Sequence, residues 1–164
     1  MAEDRRGAPD PLITSPDPAE CWMTCARGHR HWGALGAAGI LFSTSGSGAS
    51  LLHLVVLRAA WVHEGGTWSI PGGALRAGES AEAGAHREAI EEIGPVPPYA
   101  VAAVEIDDCG GGWRFATVRA RVPAPFAGQV SAEVDSLRWV SAHEAEGLAL
   151  HSGFRRFIAR HGLG

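Results

Sequence analysis

Between residues 79 and 92 the chain carries five acids, Glu79, Glu82, Glu88, Glu91 and Glu92, and the last three share a helical spacing of i, i+3 and i+4. On an α-helix they stand on one side, where like charges cost an isolated helix about 0.2–0.5 kcal/mol per pair. Something must offset that repulsion. Arg87 neutralises part of it. A hard divalent cation does so more fully, because Mg²⁺ takes oxygen ligands and is typically held by one or two carboxylates together with substrate phosphates. The grouping therefore predicts a metal and a phosphorylated ligand at one place. A solvated acidic face is the plain alternative, and the surrounding residues decide between the two.

The element that positions these acids reads as a helix from Ser80 to Ile93. Ser80 can cap the first amides, Glu82 sits in the first turn, and Gly94 followed by Pro95 ends the helix. At 100° per residue Ala85, Ala89, Ile90 and Ile93 form its core face. Ahead of it GGTWSIPGG, residues 65 to 73, is a strand or loop punctuated by Gly and Pro. Two apolar runs, Gly33 to Phe42 and Leu51 to Leu57, flank STSGSGAS and predict a hairpin. Strands are expected from Tyr99 to Ile106, Trp113 to Val122 and Ser136 to Val140, and SAHE at 141 to 144 matches a capping box. Phe154, Phe157 and Ile158 make the stripe of a terminal amphipathic helix. Strands interleaved with two or three helices predict an α/β layered fold with a mixed sheet.

The whole chain sets the setting for this segment. Its 164 residues suit one domain with a real core, expected over residues 21 to 164. Residues 1 to 20, with four prolines and scattered acids, read as a disordered leader. The N-terminus has no signal-peptide core and no stretch is long enough for a membrane span, so a cytoplasmic protein without membrane association is expected. All 14 basic residues are Arg, against 18 acids, for a formal charge of −4. That balance argues against a nucleic-acid-coating surface. Removing the five acids of the segment would leave +1, so the excess negative charge is concentrated there.

From Gly73 the sequence runs GALRAGESAEAGAHREAIEEIGP, in which Gly73, Glu79, Arg87, Glu88, Glu91, Glu92 and Gly94 occupy the seven fixed positions of the Nudix box, G-x5-E-x7-R-E-U-x-E-E-x-G-U. The chain thus resembles a Nudix hydrolase. It departs at two packing positions, the small Ala89 and Pro95 with Val96 one place late, which predicts local adjustment at the helix exit. The resemblance implies the Nudix α/β/α sandwich, with the box as a loop-helix-loop. It also implies metal-assisted attack of water on a nucleoside diphosphate linked to another group X. Carried over by position, Glu88 and Glu92 are the expected Mg²⁺ or Mn²⁺ ligands, joined by Glu91 and the carbonyl of Gly72. Arg87 orients Glu79 and Glu91, and Glu91 or Glu92 can take the proton. A loop acid before a Trp-containing strand often supplies the base, and Glu133, six residues before Trp139, is the choice here. Glu105, Asp107 and Asp108 compete with it.

The substrate is less legible. Arg58 can reach a phosphate, Gly73 lets it approach, and Trp61 is the aromatic chosen for the substrate, with Trp32 and Trp113 as further stacking candidates. A nucleoside triphosphate or related nucleotide is the preferred substrate. ADP-ribose or an ADP-sugar is the alternative, and a non-catalytic nucleotide-sensing domain is a third reading. A homodimer is left open. Finally, Cys21, Cys25, His29 and His31 offer zinc-type ligands. Their spacing is no standard knuckle, it does not match the two CxxC pairs of zinc-ribbon relatives, and His29 and His31 would face opposite ways on a strand. Packed thiols at a polar strand entrance are the adopted reading, without zinc.

Overall fold

The structure, a computed structural model, describes residues 17–48 and 50–164. In chain order its elements are β1 (Trp22–Thr24), β2 (Arg30–Trp32), β3 (Ala37–Ser45), β4 (Leu51–Arg58), β5 (Trp68–Ser69), β6 (Gly72–Ala74), α1 (Ala81–Ile93), β7 (Ala100–Asp108), β8 (Arg114–Arg121), β9 (Val134–Ser141), α2 (Ala142–Glu146) and α3 (Ser152–His161).

The two central strands have no polar face. In β3, Ala38, Ile40 and Phe42 pack to one side and Leu41 to the other, while in β4 Leu54 and Val56 oppose Val55. Strands buried on both faces need a layer on each side. Helix α1 supplies one with Ala85, Ala89 and Ile93, and α2 and α3 supply the other with Ala145, Phe154 and Phe157. The result is an α/β/α sandwich. Its sheet runs β5-β4-β3-β8-β7, with β6 on β3 and β9 on β4. The β3–β8 pairing is parallel and the other pairings are antiparallel, which makes the sheet mixed.

Local signals place the elements well. The hairpin around STSGSGAS pairs Ser43 with His53, and the capping box at Ser141 forms with Glu144. Ser80 Oγ accepts the Ala83 amide at 3.1 Å at the start of α1, and the Gly94 amide donates to the Ile90 carbonyl at 3.0 Å at its end. The helix exit adjusts as its sequence predicts. Val96 packs against the core beside α1, while the amides of Gln129 and Ser131 donate to the free carbonyls of Ile93 and Glu92 at 2.8 and 2.9 Å.

Three expectations need correction, and one element was not foreseen. Ile90 is 43% exposed, because it lies at the margin of the α1 stripe, whose buried apolar positions are Ala85, Ala89 and Ile93. The first long strand begins at Ala37, since Gly33 and Gly36 make a turn before it. Residues 17–20 form a turn with Ala19 buried and its carbonyl accepting the Ala34 amide at 2.9 Å; the rest of the expected leader, residues 1–16, lies outside the described residues. The β1–β2 hairpin was not anticipated, being short and mostly polar. Among the described residues no helix is long and apolar enough to cross a membrane.

Candidate active site

Strand β6 lies directly under the acidic side of α1, and two glycines let it do so. A Cβ on Gly72 would stand 2.6 Å from the Ala38 carbonyl of β3, and a Cβ on Gly73 would stand 2.5 Å from the carboxylate carbon of Glu88. Only a residue without a side chain lets Glu88 settle there. One turn further along the same face of the helix, Glu92 is buried at 7% exposure, and the Gly72 amide donates to it at 3.3 Å.

Arg87 organises the remaining acids. Its guanidinium meets Glu79 with two parallel bonds, Nε to Oε1 at 2.8 Å and Nη2 to Oε2 at 2.9 Å. It also donates to the Ala74 carbonyl at 2.9 Å, to Glu88 at 2.6 Å and to Glu91 at 3.2 Å. A planar fork with five donors suits this arrangement, where a lysine could not. Arg76, which the sequence reading missed, adds a second cation: its amide donates to Glu79 at 3.0 Å and its side chain meets Glu20 at 2.9 Å and Glu91 at 3.5 Å. Nothing in its sequence position marks it, because its partner Glu20 lies 56 residues away.

The electrostatics divide the acids in two. The Arg87 hydrogen bonds hold Glu79 below the usual carboxylate range. Burial instead pushes Glu88 up to about 7 against the pull of Arg87, and pushes Glu92 up to about 8 against the pull of Arg58. Two adjacent carboxylates that resist ionisation, Glu92 buried and Glu88 half-buried, are a poor structural device but a good cation site: a hard divalent ion is what would hold both ionised. The donor set is all oxygen, and the residues present fit Mg²⁺ or Mn²⁺.

Arg58 and Glu133 both act on Glu92, the first lowering its pKa and the second raising it. They come together because β4 pairs with β9 through a register shift at Leu57/Arg58, with Arg58 opposite Val134 and the Ala59 amide donating to the Glu133 carbonyl at 2.8 Å. The competing acids are engaged elsewhere: Glu105 with Arg119 at 2.8 Å, Asp107 with Arg160 and His161, and Asp108 with Arg114 at 2.9 Å. Trp61 stands 48% exposed on the loop 59–67 that follows Arg58. Trp113 is not free to stack on a base, since its ring lies on His31 at 4.1 Å, and Trp32 meets Trp22 edge-on.

The model of the NUDIX domain matches residues 34–161 of this chain, with the acids described above inside the match. The chain belongs to the Nudix family. It is 40% identical over 110 residues, 66% of its length, to a nucleoside triphosphate pyrophosphatase/Nudix hydrolase fusion protein of Bifidobacterium longum, of which it spans 23%. It is 34% identical over 139 residues, 81% of its length, to a Mycobacterium tuberculosis protein assigned provisionally as 8-oxo-dGTP diphosphatase 3, of which it spans 64%. The chain therefore covers less than two thirds of either relative. Among solved structures it superposes on RenU, a Nudix hydrolase from M. smegmatis, with a TM-score of 0.69 and 32% identity, covering 87% of this chain and 98% of that one. In this Nudix chain the box, Gly73 to Pro95, runs from β6 through α1 to the helix exit.

Proposed function

We propose that this Nudix hydrolase cleaves the pyrophosphate bond of a nucleoside diphosphate linked to X, with a nucleoside triphosphate or related nucleotide as substrate, in the presence of Mg²⁺ or Mn²⁺. The observation that carries the reading is the pair Glu88 and Glu92, half-buried and buried, seated against Gly73 and Gly72, with Arg87 bracing the acids around them. Glu88, Glu92, Glu91 and the carbonyl of Gly72 would hold the cation. When bound, it would polarise phosphoryl oxygens, lower the pKa of the attacking water and neutralise the leaving group.

The chain's own residues supply the rest. Arg87 fixes Glu79 and Glu91 so that the acids do not swing apart between turnovers. Arg58, beside Glu92, is placed to hold a phosphoryl oxygen, and Gly73 leaves room for the substrate to approach. Glu133 is the proposed base, since its loop is tied to the carbonyl of Glu92 through Ser131 and to Ala59 beside Arg58. Trp61, on the loop after Arg58, is the proposed base-stacking residue. The name of the M. tuberculosis relative, which refers to 8-oxo-dGTP, supports that substrate over an ADP-sugar.

The test is a panel of nucleoside triphosphates, 8-oxo-dGTP, ADP-ribose, dinucleotides and capped RNA with Mg²⁺ or Mn²⁺, both products being weighed. Release of a nucleoside monophosphate and pyrophosphate, lost in Glu92→Gln, is the expected result. A ligand that raises the melting temperature while staying intact would instead make the domain a nucleotide sensor.

A further inference from the structure

The turn of the β1–β2 hairpin holds Cys25, His29 and His31 close together, with one ligand atom from each lying within 4.8 Å of the other two. Strand alternation does not separate the two histidines, because β2 begins at Arg30 and leaves His29 in the turn. Cys21 is exposed and stands apart from this group. From the turn between β7 and β8 the Cys109 thiol comes within hydrogen-bonding reach of the Cys25 side chain, beside the three clustered ligand atoms.

The two turns are fastened to each other by backbone. The Ala26 amide donates to the Gly111 carbonyl at 2.9 Å, and Arg27 Nη1 donates to the Cys109 carbonyl at 3.4 Å. The Gly111 amide donates to Cys109 Sγ at 3.3 Å. A Cβ on Gly111 would lie 2.7 Å from Cys25 Sγ, so this glycine makes room for the sulfur. The His31 ring is clamped flat on Trp113, 4.1 Å away at 7°, and its Nε2 is buried without a hydrogen-bond partner among the described residues. A buried ring nitrogen left without a partner keeps the cost of its lost hydration unless a donor or a cation meets its lone pair, or an acceptor its hydrogen.

We propose that Cys25, His29, His31 and Cys109 bind a zinc ion, a Cys₂His₂ site separate from the carboxylate site on α1. Two sulfurs and two imidazoles are the ligand set that tetrahedral Zn²⁺ takes, and structural zinc sites are closed in this way. Binding would staple the N-terminal hairpin to the β7–β8 turn. That hairpin carries Trp22, which packs edge-on against His63, 4.9 Å away, and the His63 carbonyl accepts from Arg58 Nε at 2.9 Å. The zinc clip would thus steady the wall beside the Nudix helix without touching its acids.

The experiment uses the full chain without a polyhistidine tag, purified under reducing conditions. Metal content is measured by mass spectrometry, and Co²⁺ is then titrated into chelator-treated protein. The expected result is one zinc per chain, and a cobalt spectrum with the strong visible bands of a tetrahedral site and a thiolate charge-transfer band. Cys25→Ser and His31→Gln should weaken Co²⁺ binding about 100-fold or more, Cys109→Ser should roughly halve the charge-transfer band, and Cys21→Ser should change neither. Circular dichroism reports whether each variant is folded, and the wild-type cobalt spectrum decides alone if a variant is not. Octahedral, pale cobalt bound equally by wild type and Cys25→Ser, or loss of binding in Cys21→Ser, would overturn the site. So would a Cys25–Cys109 disulfide that persists under the reducing conditions.

Discussion

The carboxylate of Glu88 occupies the space that a side chain on Gly73 would fill, 2.5 Å from the position of the missing Cβ. Because the group displaced would be the end of a flexible side chain, Gly73→Ala should disturb Glu88 more than the fold. The expected outcome is a Mg²⁺ requirement raised about tenfold or more, with unfolding free energy changed by less than about 1.5 kcal/mol. Metal titrations of activity beside urea denaturation check both halves.

Arg87 lies at 17% exposure between Glu79 and Glu88, each at 13%. Truncation to Ala would leave those carboxylates facing one another in a poorly solvated place. We expect Arg87→Ala to lose about 3 kcal/mol in urea denaturation, and Arg87→Lys to recover only part, because an ammonium cannot reproduce the paired bonds to Glu79.

Glu133 is tethered at both ends of its loop, to Glu92 through Ser131 and to Ala59 beside Arg58. If it takes the proton from water, Glu133→Gln should lower kcat about 100-fold or more while KM and the metal requirement stay close to wild type. Full activity in that variant would move the role to Glu91 or Glu92.

The two buried histidines should lose their contribution to stability on mild acidification. His53 is buried between β4 and its neighbours with Nδ1 2.8 Å from Ser43 Oγ, and burial lowers its pKa from 6.5 to about 4. His151, whose Nδ1 accepts the Gly153 amide at 3.0 Å, is lowered to about 4 mainly by burial as well. The folded chain keeps both neutral where the unfolded chain protonates them. Above pH 6.5 neither histidine takes a proton in either state; between 6.5 and about 4 the unfolded state binds more protons at these rings, and their contribution drops as pH falls. For His53 alone the loss approaches about 3 kcal/mol. Glu88 and Glu92 act in the opposite direction, because the folded state holds their protons up to about 7 and about 8. Urea midpoints of wild type and His53→Met at pH 7.5, 6 and 5 separate the two effects: Met cannot take a proton, so the variant should gain stability relative to wild type as pH falls.

What the sequence disclosed were features coded locally. The α1 boundaries followed from Ser80 and Gly94, the capping box from Ser141 and Glu144, and the acids from their helical spacing. What it withheld were meetings between distant segments. Arg76 with Glu20, Arg58 with Glu133, and Cys25 with Cys109 depend on strand pairing and turn docking that no spacing encodes. The cluster around Cys25 was hidden for the same reason: Cys21, near in sequence, is exposed and lies outside it, while Cys109 reaches Cys25 from another turn. Ile90 was misread differently, because a helical stripe gives a direction but not the width of its buried part.

The parallel pairing of β3 with β8 sets Ala37 beside Phe115, and α1 packs across both strands. During synthesis the acids of α1 leave the ribosome well before β8 does, at about 5–20 residues per second. Until β8 arrives, the helix has β6 and β3 to rest on but lacks one edge of its platform, and long-range parallel pairing is slow to form. The nascent chain therefore passes through an interval of seconds in which the charge of its acidic segment is offset by Arg87 and held against an unfinished sheet.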